Sequence, residues 1–175
     1  MLGRVELSIT APGQETCAQW AEQLRGLGLQ RILHAPDELA TQTAEAVARR
    51  LSIPTKALRA LAEVDIGLWA GLTEEQLKAR YPTAHRELGE SALNVQPPEG
   101  ENLRAAAHRL QVCLRKQISR NGVGAIGVVL RPLALAIVRC ALEGRPLANL
   151  WEAAHSITQP LVIEYNRASR AAAGA

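Results

Sequence analysis

Side chains able to do chemistry are thinly spread along this sequence. Cys17, Cys113 and Cys140 cannot all pair within one chain, and each falls on the apolar face of an expected helix, so all three read as reduced core residues. Arg120 follows Cys113 by seven positions, one more than a cysteine phosphatase loop uses, and a thiol in mid-helix cannot sit at the centre of an anion-binding loop. His34, His85, His108 and His155 show no ligand spacing with one another or with cysteine; they read as surface or packing residues, and no metal site is expected. "GVGAIG" at 122–127 has glycines in a dinucleotide-like pattern but precedes a strand, so it cannot present a helix N-terminus to a pyrophosphate. What remains is the turn in "VELSITAPGQET", where a strand feeds a helix, a common ligand position in α/β proteins. Its residues Ala11, Pro12 and Gly13 can neither attack, donate a proton nor carry charge.

The elements that would position such a turn follow from composition and periodicity. The 175 residues suit one domain with a substantial core, and 47% hydrophobic with 21% charged residues is the balance of a globular protein. Aromatics are 3%, without a single Phe, so Leu, Ala, Val and Ile must build the core. No stretch approaches the roughly 18 apolar residues of a membrane span, and the N-terminus lacks a signal-peptide core; a cytoplasmic location and no membrane partner are expected. The net charge of +3 comes from scattered arginines without interleaved aromatics, which argues against nucleic acid.

Val5–Thr10 alternates as a strand, and Cys17, Trp20, Ala21, Leu24 and Leu27 then recur at helical spacing until "RGLGLQ" ends the helix. "RILHAP" reads as a second strand, and Ala40, Ala44, Val47 and Leu51 as a helical stripe stopping before Pro54. About residues 61–101 carry short helices, including "TEEQLKARYP" capped by Thr73, and a polar loop, which together read as an insertion over the sheet. A long helix over Asn102–Ser119, a buried strand at 125–130, an apolar helix opened by Pro132, a last strand in "PLVIEYN" and a flexible tail at 168–175 complete a single domain. This order predicts a three-layer α/β/α sandwich with a mostly parallel central sheet.

"LAEVDIGLWAGLTEEQLKARYP" followed by "PPEGENL" resembles the histidine phosphatase superfamily, also called phosphoglycerate mutase-like, in which an acidic residue precedes a G-x-W-x-G turn. "QTAEAVA" is similar to the family's second helix, Arg109 in "AAAHRL" to the arginine of its long helix, and "AIGVVLRP" to its late strand. The resemblance runs from about Arg4 to Tyr165 and implies one antiparallel edge strand, in "PLVIEYN". In active members it implies an Arg-His-Gly turn whose histidine attacks phosphorus, arginines and a second histidine around the oxygens, and a carboxylic acid for the leaving group. Here Thr10 and Ala11 fall where the Arg-His pair is expected, Leu39 takes the place of a phosphate-binding arginine, and Leu130, Arg131 and Pro132 replace a Ser-His-Gly; Glu63 alone keeps its match, as the acid.

The expectation is therefore a phosphatase fold without phosphatase chemistry, a pseudoenzyme with a binding or regulatory role, no cofactor, and a former phosphate pocket formed by Thr10, Ala11, Leu39, Glu63 and Arg131. Its partner would be another protein or a small anionic ligand, with a homo-oligomer left open. Two alternatives stay open: a phosphoric monoester hydrolase or phosphomutase with a rebuilt site, and a structural subunit. Arg131 is expected to pair directly with Glu63, the competing readings being an Arg131 that holds an anion with the N–H groups behind Pro132, or an Arg131 that points into solvent while Glu63 caps backbone amides.

Overall fold

The computed structural model describes residues 7–120, 124–145, 147, 153–154 and 159–164. Three strands form its sheet among these residues: β1 (Leu29–His34), β2 (Thr55–Ala57) and β3 (Ala125–Val129). The order is β2-β1-β3 and every pairing is parallel, with His34 opposite both Ala57 and Val129. The chain leaves β1 towards β2 on one side, while β3 arrives on the other. The carboxyl ends of β1 and β3 therefore flank a point where strand order reverses, the usual crevice of open α/β sheets.

Alternation along β1 builds the two outer layers. Ile32 faces a cluster with Cys17, Ala21, Ala44, Val47 and Ala48, contributed by α1 (Ala11–Leu24) and α2 (Glu38–Leu51). Leu33 faces the opposite, larger cluster, where Leu103, Ala106 and Leu110 of α5 (Leu103–Arg120) meet Leu133, Ala134 and Ile137 of α6 (Pro132–Glu143). Two buried layers on a parallel sheet make the three-layer α/β/α sandwich that the strand and helix order predicts. No described helix is long and apolar enough to cross a membrane.

Residues 59–101 hold 3-10 turns at Arg59–Leu61, Gly67–Trp69 and Ala92–Asn94, together with α3 (Glu74–Arg80) and α4 (Pro82–Ser91). Thr73 caps α3 in a reciprocal box with Gln76, as its position before the helix predicts. Trp69 is buried in this layer and stacks at a tilt on Tyr81.

Several expectations are corrected. Residues 7–10, the described part of the expected first strand Val5–Thr10, form no strand; Val5 and Glu6 lie outside the described residues. Thr10 is instead the N-cap of α1, accepting from the Gly13 N–H at 3.2 Å, so Ala11, Pro12 and Gly13 are the first helical turn rather than a loop. A hydroxyl before a proline at N2 ends the extended segment because that geometry satisfies an otherwise orphaned donor. The first helix stops at Leu24, leaving Leu27 exposed. β2 was not anticipated. Residues 160–164 of the expected edge strand form no strand, while Tyr165, Asn166 and the expected tail at 168–175 lie outside the described residues.

Candidate functional site

At the crevice between the ends of β1 and β3, α6 begins with an unusual deficit. Its N-cap is Arg131, whose side chain makes no capping bond, and Pro132 follows at N1. The N–H groups of Leu133 and Ala134 must then be satisfied from elsewhere, since buried orphan donors are costly. Glu63 supplies the acceptors: Oε2 takes the Leu133 N–H at 3.1 Å, and Oε1 takes the Ala134 N–H at 2.8 Å and its neighbour Val64 N–H at 2.8 Å. The carboxylate also meets the positive end of the helix dipole, which favours its charged form.

Glu63 is only 4% exposed. Burial raises its pKa above the ordinary glutamate range, opposed by the bonds from Val64, Ala134 and Leu133 and by the nearby charge of Arg131. Since the folded-state pKa is raised, the stability linked to its proton is fully present below the unfolded value and is lost as pH rises through the folded one. Glu63→Gln cannot ionise, so its stability relative to wild type should improve as pH rises above the ordinary glutamate range, by urea denaturation at matched pH values. A difference that moves the other way would contradict burial as the dominant cause.

The peptide carrying Glu63 is held from below by Arg109 on α5. Arg109 Nη1 donates to the carbonyls of Ala60 and Ala62 at 3.0 and 2.9 Å, and Nη2 to the carbonyl of Glu63 at 3.3 Å. Its other edge is bidentate on Glu101, with Nε to Oε2 at 3.0 Å and Nη2 to Oε1 at 2.5 Å. Glu101 in turn accepts the Asp65 N–H at 3.0 Å and donates its own N–H to the Asp65 carbonyl at 2.8 Å. One guanidinium thus fixes both ends of the 60–65 segment, and with it the place of the Glu63 carboxylate.

Arg131 turns to a different acid. Its ion partner among the described residues is Asp37, at 3.7 Å from Nη1 to Oδ1, and it acts on Glu63 only as a nearby charge. The expected direct Arg131–Glu63 pair gives way because three backbone donors already claim the Glu63 oxygens; Glu63 caps amides as one competing reading has it, but Arg131 does not point into solvent as that reading also required. Asp37 is the N-cap of α2, accepting from the Ala40 N–H at 3.1 Å.

The other expected pocket residues sit at the starts of α1 and α2. Thr10 and Ala11 open α1 and are exposed, and the segment before them is tied to α2 by the Ile9 N–H on Gln42 Oε1 at 2.7 Å. Leu39 is half-buried in the first turn of α2. One residue at this end of the sheet has no role in the sequence analysis: Asp37, for which the signal was an acid just before a helical stripe; His34, which closes β1 and is 3% exposed, is a packing residue as expected. The His34 Nδ1 lies 2.8 Å from the Ala35 carbonyl and 3.4 Å from Thr41 Oγ1, a geometry that assigns the ring proton to Nδ1. Cys17 and Cys140 are buried and Cys113 is half-buried, and burial raises all three thiols, as reduced packing residues require. No group of His, Cys, Asp and Glu able to hold a metal occurs among the described residues.

Comparison with known proteins gives a consistent picture. The profile described as "Histidine phosphatase superfamily (branch 1)" matches residues 1–173. Phosphoserine phosphatase 1 of Hydrogenobacter thermophilus is 24% identical over 149 residues, covering 85% of this chain and 71% of that protein. Among solved structures, YhfR of Bacillus stearothermophilus superposes with a TM-score of 0.74 at 21% identity, covering 93% of this chain and 78% of that one. A mycobacterial glucosyl-3-phosphoglycerate phosphatase solved with VO3 gives 0.73 at 24% identity, covering 95% and 79%.

Proposed function

Because the chain belongs to the histidine phosphatase superfamily, we propose that it is a cytoplasmic member that has exchanged phosphohistidine chemistry for binding, acting on a protein or a small ligand through the crevice at Arg131. The motif resemblance puts Thr10 and Ala11 where the Arg-His pair is expected, Leu39 where an arginine is expected, and Arg131 where the second histidine is expected. The observation that carries the reading is that carboxylates already stand at the groups that would face a phosphoryl group: Glu63 accepts from the N–H pair of α6, and Asp37 lies 3.7 Å from the Arg131 guanidinium and offsets its charge. Phosphoryl transfer rests on an activated nucleophile and on preorganised charge around the transferring oxygens. A remaining acid contributes about 10²- to 10⁴-fold by itself, far below what a phosphate monoester requires.

A second reading, an active phosphatase with a rebuilt site, is favoured by the raised pKa of Glu63, which suits a proton donor, and by the names of the relatives. The two separate in a turnover assay on folded protein with phosphoserine and p-nitrophenyl phosphate. We expect no release of phosphate above background, and none from Ala11→His, because Leu39 and the occupied helix N-terminus still leave the oxygens without donors. Sustained release by wild type would establish the second reading.

A further inference from the structure

This inference rests on the binding role proposed above and concerns the charge of what the same crevice takes. We infer that Asp37 is a specificity-determining residue that bars doubly charged oxyanions from Arg131. The Arg131 side chain is 11% exposed and that of Asp37 32%, so parts of both border solvent while the atoms that face each other are covered. Their separation of 3.7 Å exceeds the 2.7–2.9 Å typical of a charge-assisted hydrogen bond. Arg131 Nη1 and Asp37 Oδ2 are buried, and neither has a hydrogen-bond partner among the described residues. An incomplete pair of this kind offers one donor and one acceptor side by side.

Asp37 cannot readily leave. Its Oδ1 caps α2 through the Ala40 N–H, so swinging the carboxylate away uncaps a helix whose other end and packed face are fixed in the core. The second set of donors at this end of the sheet, the Leu133 and Ala134 N–H groups, is held by Glu63. An incoming dianion therefore meets one guanidinium flanked by an anchored carboxylate, with the α6 N–H groups already held and so not free to share its charge. A zwitterionic or singly charged ligand, bringing an acceptor to Arg131 and a donor to Asp37, meets no such opposition.

The test uses inorganic phosphate at a pH where the dianion predominates, read by calorimetric titration and by the thermal shift of the full chain. Asp37→Asn keeps an equally good cap and removes the charge. Wild type should bind phosphate too weakly to saturate the titration, Asp37→Asn should bind at least about tenfold more tightly than the bound this sets for wild type, and Asp37→Asn with Arg131→Gln should lose that gain. Asp37→Ser, another good cap, is the replacement if the asparagine variant fails to fold. Phosphate binding by wild type that Arg131→Gln removes would overturn the inference, as would a folded Asp37 variant with no gain or a gain that survives loss of Arg131. None of these readouts needs turnover, so a failure here is distinct from a failure of the proposed function.

Discussion

Arg109→Ala is expected to lose roughly 3–5 kcal/mol of unfolding free energy: its pair with Glu101 is only partly buried, but five hydrogen bonds from a charged donor are lost together. The side chain makes three bonds to the carbonyls of Ala60, Ala62 and Glu63 and two to Glu101, and its truncation removes all five, leaving Glu101 with the Asp65 N–H. Its partner Glu101 keeps only 23% of its side-chain surface, so water cannot replace the lost donors in full. For a chain of this size that loss corresponds to a fall in melting temperature of about 6–20 °C. Arg109→Lys should recover little, since an ammonium keeps the charge but cannot span carbonyls and carboxylate in one plane. A calorimetric scan showing either variant within 2 °C of wild type, about the smallest shift one kcal/mol would give, would mean that the 60–65 segment is held by something else.

Gly67→Ala should be comparably damaging for a different reason. Gly67 has φ +47°, and a Cβ there would sit 2.1 Å from the Pro98 carbonyl oxygen and 2.6 Å from Glu99 C and Gly100 N. These are backbone atoms of the "PPEGEN" loop, which cannot yield as a flexible side chain would. The Leu68 N–H bonds to the Pro98 carbonyl at 3.0 Å, and Gly67 N–H to Asp65 Oδ1 at 3.1 Å, so the turn and loop are stitched together where the clash falls. The left-handed backbone costs a non-glycine residue about 1–2 kcal/mol, and separating the two segments adds the loss of their bonds. Urea denaturation should show a loss of at least about 3 kcal/mol. Gly89→Ala, in the exposed part of α4 where the space around a Cβ is open, serves as the control and should cause no loss, with a gain of up to about 1 kcal/mol from helix propensity.

Much of the framework was legible because it rests on periodicity and caps. The Ala40, Ala44 and Val47 stripe of α2 is buried as its spacing demands, Pro132 opens α6, and Thr73 caps α3. β2 was illegible: three residues with no buried side chain carry no alternation, and parallel pairing to β1 alone makes them a strand. Leu7–Thr10 misled for the opposite reason. Its alternation is real, but Leu7 is 48% exposed and the Thr10 hydroxyl serves α1, so the pattern reflects a cap rather than a buried face.

The site was half legible. Glu63 stood out by its place before the G-x-W-x-G turn, yet its bonding could not be read from its own neighbourhood. It follows from the far end of the chain, where an arginine at the N-cap and a proline at N1 leave α6 in need of an outside acceptor. The Arg131–Asp37 pair was hidden because it depends on which strands are neighbours. Only the β1–β3 pairing brings the residues after His34 and after Val129 to one crevice.

The central claim, that this fold carries no phosphohistidine chemistry, is tested most directly by looking for the covalent intermediate. Folded wild-type protein would be incubated with radiolabelled phosphoserine, quenched at alkaline pH where phosphohistidine survives, digested and mapped. The account predicts no label on His34, His85, His108 or His155. Stoichiometric label on any of them, lost on acid treatment and chased by unlabelled substrate, would contradict it.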